Sequence, residues 1–359
     1  MIDCTYEYKA LWKTIGIRIV ASCKHPLKVM KPLRWIVNWG AACLIAGLTF
    51  AANVSIATSA QTWPTRPIRL IVPFAAGGAN DIVARLIQPD LERALGQPVI
   101  IENKPAASGT VGTDQVAKAT PDGYSLLMAF TTHTVNPAVN AKLPYDTERD
   151  LAPIALIGKS PLLFIVNPTV PAKTLSEFVA LAKQNPGKFN YGTPGAASQA
   201  HLLVALWSKL AGIEMQHIPY RGGAPAVLGT VTGEVQLTLM SPIASLAQIN
   251  AGALRPLATG SAERDPHFPD LPSVAESGFP GFEAVAWVGL FTTAGAPTGI
   301  VGRLNAEVNR IIHLPGIATK FDEQGMTPAG GSATDFGAFI SRELRRWKDA
   351  ARAANVSAE

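Results

Sequence analysis

RLIVPFAAGGANDIVARLI, residues 69–87, is the stretch from which the fold can be read. A β-branched apolar run meets two adjacent glycines and passes directly into an amphipathic helical pattern, so it reads as strand, tight turn, helix. Gly77 and Gly78 are expected to take backbone angles that other residues avoid, with the helix starting near Asn80 and Asp81. Such a junction gathers unpaired helix N–H groups at the carboxyl end of a strand, where the helix dipole adds roughly half a positive charge. A carboxylate or phosphate can be held there without Lys or Arg. The plainer alternative is a turn in which Asp81 merely serves as the acid of the first helical turn. There is no Gly-Lys-Ser/Thr of a Walker loop, and the glycine spacing is not that of a dinucleotide site.

A second junction of the same kind lies in KFNYGTPGAASQAHLLVALW, residues 188–207: a strand, the small-residue turn from Thr193 to Ser198, then a helix. Thr193 and Ser198 are hydroxyl donors for an anion, and Ser198 equally suits the helix N-cap. In LLMAFTTHTVNPAV a strand ends in Thr131, Thr132 and His133, adjacent hydroxyls that suit carboxylate recognition as well as ordinary strand ends. His201 reads mainly as a packed helix residue, and Arg221 as an ion-pairing surface group.

Around these junctions apolar runs such as PVIIEN, PLLFIVNP, EMQHIPY, VQLTLM and LRPLATG alternate with helical patterns, which predicts an α/β protein with mostly parallel sheets and ligands beyond the carboxyl ends of the strands. Pro89 is expected to break the first helix near Gln88. A Pro/Gly-rich connection, RDPHFPDLPSVAESGFPGF, precedes a final strand and two helices. No internal repeat is visible.

The net charge of +5 comes from the N-terminus, because residues 1–60 carry seven Lys/Arg against Asp3 and Glu7 and the remainder is formally neutral. That removes the basic footprint a nucleic-acid binder needs. Cys4, Cys23 and Cys43 all fall in the same N-terminal segment, leaving no thiol nucleophile, disulfide or Cys-ligated metal for the body of the chain. MKPLRWIVNWG, AACLIAGLTFAA and SIATSA follow the order of charge, apolar stretch and small residues of an export signal starting at Met30, with cleavage expected after Ala60 or, alternatively, after Ala57. A retained anchor over residues 35–52 is the competing reading. No GxSxG, HExxH or metal-like histidine spacing occurs, so neither a cofactor nor a metal is expected.

WPTRPIRLIVPFAAGGANDIVARLI, LGQPVIIENKPAASGTVG, ATPDGYSLLM, HIPYRGGAPAV and LPSVAESGFPGFEAVAWVGLFTTAGAP resemble, in order, the motifs of the tripartite tricarboxylate transporter substrate-binding family, the Bug-type periplasmic receptors. The resemblance covers residue 61 to the end. It implies a type 2 periplasmic-binding-protein fold: two α/β domains, 61–160 with 261–359 and 161–260, joined by crossing strands around a ligand cleft. It also implies that Phe74, Ala76, Gly77, Gly78 and Asp81 form one arm of a carboxylate site and Thr193, Gly195, Ala196, Ala197 and Ser198 the other. Toward the distal end, where the family usually has other residues, stand Thr131, Thr132 and Ser241. The implied protein is a monomeric, periplasmic, non-enzymatic receptor for a small carboxylate or amino-acid-like ligand, passing it to membrane components of a transporter or to a sensor. A periplasmic hydrolase or isomerase on the same scaffold is the alternative, and it needs a nucleophile–base pair.

Overall fold

The computed structural model describes residues 63–356, so the Met30 start, the export segment, its cleavage near Ala60 and the three cysteines lie outside the described residues. The strands are β1 (Ile68–Val72), β2 (Val99–Asn103), β3 (Ser125–Phe130), β4 (Leu151–Pro161), β5 (Leu163–Val166), β6 (Phe189–Thr193), β7 (Met215–Pro219), β8 (Leu237–Met240), β9 (Arg255–Thr259), β10 (Val285–Thr293) and β11 (Thr327–Pro328). The helices are α1 (Ala79–Leu95), α2 (Thr110–Ala117), α3 (Thr132–Val139), α4 (Leu175–Gln184), α5 (Gln199–Ala211), α6 (Gly223–Val231), α7 (Pro242–Asn250), α8 (Thr298–Ile312), α9 (Pro315–Glu323) and α10 (Ala333–Ala354).

Two sheets result, ordered β11-β4-β10-β3-β1-β2 and β7-β6-β8-β5-β9. Apart from the short β11 their plans are the same. Three parallel strands with the first in the middle (β2-β1-β3 and β7-β6-β8) are followed by one antiparallel strand and then a fifth. The antiparallel strand of each sheet is the one that arrives from the other sheet: β5 follows β4 through Leu162, and β10 returns after β9 through Gly260 and Ala284. At this crossing the Leu162 N–H donates to the Ala284 carbonyl (2.8 Å), Ala284 N–H to Gly260 (2.7 Å), and Gly260 N–H to Leu162 (2.7 Å). Gly260 is required here by proximity: a Cβ would lie 2.6 Å from Ala284 Cβ and 3.0 Å from the Leu162 carbonyl oxygen.

The two-residue period of the strands sorts their side chains onto opposite faces. From β1, Ile68, Leu70 and Val72 join α1 and α8 in one core, while Ile71 packs with Trp287, Phe291 and Phe336 in another. In the second sheet Phe164 and Val166 pack against Phe178 of α4 and Trp207 of α5, while Leu163 and Ile165 face Val227 of α6. Helix α10 serves both halves, placing Phe336 and Ile340 against the first sheet's core and Trp347 and Ala351 in the second's.

Two local expectations fail. Helix α1 is not broken at Pro89 but runs unbroken from Ala79 to Leu95. Val83, Ala84, Ile87, Leu91 and Leu95 are all buried along one stripe, and that burial outweighs one missing helical hydrogen bond. The strand in LLMAFTTHTVNPAV ends at Phe130, and Thr131 already has helical angles at the head of α3. Thr and Val are indifferent helix formers and Pro137 sits inside, so propensity argues against α3; its burial of Val135 and Val139 in a core decides for it.

Candidate functional site

The carboxyl ends of β1 and β6 occupy equivalent places in the two sheets, and each leads into a small-residue turn and a helix. In the first turn Gly77 alone is left-handed (φ 79°); Gly78 is extended (φ −77°, ψ 168°) and is the N-cap of α1, which begins at Ala79. The expectation that both glycines take unusual angles is thus corrected. The left-handed turn at Gly77 aims its N–H at the Asp81 carboxylate (2.8 Å), and an N-cap is ordinarily extended.

Asp81 organises this arm. Its side chain is 2% exposed and accepts from Gly77 N–H, from Asn103 Nδ2 (3.0 Å) and from Arg85 Nε (2.8 Å), while Asn103 also donates to the Phe74 carbonyl (3.1 Å). Desolvation pushes the Asp81 carboxyl up, but the hydrogen bonds from Arg85, Gly77 and Asn103 outweigh it and hold the group below the usual carboxylate range. Asp81 is therefore charged and fully engaged. Ala76 and Gly77 are exposed, Phe74 is partly so, and the N-cap of α1 makes no side-chain hydrogen bond to the helix amides.

In the second turn Ser198 is the N-cap of α5, its Oγ accepting from His201 N–H (3.3 Å). That leaves the hydroxyl proton of Ser198 to donate elsewhere, so capping and ligand donation are compatible. Ala197 is left-handed (φ 54°), which costs a non-glycine residue roughly 1 kcal/mol. Its N–H is held by His201 Nδ1 (3.0 Å). Thr193 is fully buried; its Oγ1 lies 2.9 Å from the Gly195 carbonyl and 2.7 Å from His217 Nε2. Gly195 is half-buried and Ala196 is exposed at the tip.

Thr131 is buried with its Oγ1 accepting from Trp287 N–H (3.0 Å), which ties the end of β3 to β10, and Thr132 is partly exposed at the start of α3. Ser241 follows β8, the counterpart of β3 in the second sheet, as the N-cap of α7, and its carbonyl accepts the Ser245 hydroxyl (3.0 Å). All these residues stand at carboxyl ends of parallel strands, where α/β sheets place ligands.

Two features of the site escaped the sequence. Asn80, beside Asp81, is buried with no partner for Nδ2. Ala107, Ser108 and Gly109 are consecutively left-handed (φ 47°, 52° and 87°), with Gly109 packed against Pro73 and Phe74 and the Ser108 carbonyl held by Asn136 Nδ2 (3.0 Å). Non-glycine residues in that region concentrate where loops are functionally constrained. Nothing in KPAASGTVG announces left-handed Ala and Ser, although a small-residue run after β2 is a weak hint. His133 lies elsewhere: it packs on Phe291 (4.7 Å between centroids), and burial lowers its pKa to about 3. No group of His, Cys, Asp and Glu suited to a metal occurs among the described residues.

Residues 83–356 match the model of the tripartite tricarboxylate transporter family receptors. The chain is 35% identical to the protein BugT of Bordetella pertussis over 303 residues, covering 84% of this chain and 93% of that one. Among solved structures it is similar to Rpa4515 of R. palustris with adipate (34% identity, TM-score 0.79, 82% of this chain and 99% of that one). It is likewise similar to MatC of Rhodopseudomonas palustris with bound malate (32%, TM-score 0.75, 80% and 99%) and to the periplasmic binding protein BugD (30%, TM-score 0.77, 83% and 100%). The two equivalent sheets with exchanged strands are the type 2 periplasmic-binding-protein fold that the motifs predicted.

Proposed function

The chain belongs to the tripartite tricarboxylate transporter receptor family, and from that premise we propose that it is a periplasmic receptor that captures a small carboxylate between the turns after β1 and β6. The observation that carries the reading is the pairing itself: two strand–turn–helix junctions at equivalent ends of two like-ordered sheets, in a chain over 30% identical to relatives solved with adipate and with malate. Backbone amides near the N-terminus of α1 and the Ser198 hydroxyl supply donors for one carboxylate, and Asn80 Nδ2 is a further donor beyond those the sequence singled out. Thr132 and Ser241 stand by the outer part of the ligand, while Thr131 supports them through β10. The ligand is held rather than transformed, the domains divide at the crossings near residues 161 and 260, and the mature chain starts after Ala60. Passage of the ligand to a membrane transporter or a sensor is part of the same reading.

Thr193 and His217 lie as close as a nucleophile and its base, yet their hydrogen bonds run the wrong way for catalysis. The hydroxyl has one proton; with it directed at the Gly195 carbonyl, His217 Nε2 donates to Thr193 Oγ1, and in that arrangement the imidazole is not a base toward it. Calorimetric titration of residues 61–359 with linear dicarboxylates including malate and adipate, with monocarboxylates, amino acids and cationic controls, tests the proposal. Saturable binding of at least one acid without its turnover is expected; binding confined to cations or neutral compounds, or hydrolysis or isomerisation of the bound compound, would overturn it.

A further inference from the structure

Beneath the second turn, the imidazoles of His201 on α5 and His217 on β7 stack face to face, with ring centroids 3.7 Å apart and planes 11° from parallel. Each ring holds a different part of the turn. His201 Nδ1 accepts the N–H of left-handed Ala197 at 3.0 Å, so that nitrogen is unprotonated and a neutral ring carries its proton on Nε2. With the Thr193 proton directed at the Gly195 carbonyl, His217 Nε2 donates to Thr193 Oγ1 at 2.7 Å. In that arrangement both rings are neutral Nε2–H tautomers, each making one hydrogen bond to the turn. Neither bonds a carboxylate among the described residues; Tyr191 of β6 also faces the stack, 5.0 Å from His217 and 6.3 Å from His201, and its phenol is pushed up by burial and stays uncharged.

We propose that His201 and His217 are positioning residues of the ligand site, a neutral stacked pair that fixes the Ala197 and Thr193 ends of the second turn and releases that turn when protonated. Protonating His201 places an N–H where Ala197 needs an acceptor, and in the free receptor protonating both sets two cations face to face without a carboxylate partner among the described residues. The Ala197 amide then loses the bond that stabilises its left-handed backbone, and Ser198, next in the chain, loses its fixed direction. Burial lowers the pKa of His201, and burial with the facing His201 lowers His217 to about 4. With both histidines depressed in the folded chain, the brace is intact above the ordinary histidine value of 6.5 and is lost as pH falls toward about 4. Acid therefore loosens the receptor's grip. The effect on ligand rests on the proposed carboxylate site; the brace itself does not.

The test is nuclear magnetic resonance of the folded chain with ¹⁵N-labelled imidazoles, titrated from pH 8 to 4 while following the Ala197 amide, alongside calorimetry with malate as the probe. Both rings are expected as Nε2–H tautomers at pH 8, with the Ala197 amide shifting at the same midpoint as His201. Malate affinity is expected to fall by roughly tenfold per pH unit for each proton the free turn takes up. His201→Phe removes the acceptor, whereas His201→Asn returns an acceptor near the Nδ1 position without titrating. The Asn variant should recover part of the binding lost in the Phe variant and show a shallower pH profile than wild type, a comparison in which protonation of malate itself cancels. An Nδ1–H tautomer at either ring, an Ala197 amide that ignores the His201 titration, or an Asn variant as acid-labile as wild type would overturn the proposal. If malate does not bind, the ring and amide spectra still decide the brace, and only the carboxylate reading is affected.

Discussion

Asp81→Asn separates the backbone role of the first turn from any direct role of its carboxylate. Oδ2 accepts from Gly77 N–H and Arg85 Nε, and Oδ1 accepts from Asn103 Nδ2. An asparagine can keep its oxygen toward Gly77, but its amide then meets the Asn103 amide donor to donor. Asn103 cannot turn over to accept it without setting its own oxygen against the Phe74 carbonyl. One partly buried donor is left unpaired, which costs about 1–3 kcal/mol. Arg85 is more than half exposed and adds little to that loss. Asp81→Ala also frees the Gly77 N–H, and the total rises to about 3–5 kcal/mol. For a chain of this size each kcal/mol lowers the melting temperature by roughly 2–4 °C. Differential scanning calorimetry of both variants, followed by ligand titration of each below its melting temperature, should show losses of stability and of affinity ranked wild type, Asn, Ala. An Asn variant as stable as wild type that nevertheless fails to bind would refute this reasoning, because the carboxylate would then be contacting a cationic group of the ligand.

Gly77→Ala places a Cβ in open space at φ 79°, so it should cost roughly 1 kcal/mol through backbone strain alone, while Gly78→Ala, extended and 3.3 Å from the Ala75 carbonyl, should cost less; urea melts of the pair check the ranking. Gly260→Ala forces apart the crossing strands and two hydrogen bonds of 2.7 Å, and a loss of about 2–4 kcal/mol is expected by the same melts. His133 is buried without partners and its folded pKa is lowered to about 3, so its neutral form supports the fold above pH 6.5 and that support is lost as pH falls toward 3. His133→Phe should accordingly show a smaller drop in urea midpoint between pH 6.5 and pH 4 than wild type.

The alternation of β-branched runs and helical stripes made the α/β architecture legible, because each strand–helix unit buries its own apolar pattern locally. The break expected at Pro89 and the helix missed at Thr132–Val139 are both places where burial of a stripe overrides propensity, which a single sequence cannot weigh. The two junctions were legible as alike, but the matching strand order of the two sheets was not, since PFAAGGAND and TPGAASQA share only smallness and position, and smallness is what a turn closing over an anion requires. Thr193 was readable as a candidate and His201 mainly as a packed helix residue, but the two were not readable as parts of one device, because His217 comes from a different strand, β7, which pairs in parallel with β6. Left-handed Ala107, Ser108 and Ala197 are marked in the sequence by nothing beyond a run of small residues, since their angles are imposed by neighbours rather than permitted by glycine.

Joint capture of one carboxylate by the turns after β1 and β6 would be visible in the structure of the complex with the tightest-binding acid of the calorimetric panel. One carboxylate is expected within hydrogen-bond reach of a backbone amide in residues 76–81 and of Ser198 Oγ or a backbone amide in residues 195–198. A carboxylate seated on one turn alone, or paired with a basic side chain such as Arg221 away from both, would contradict it.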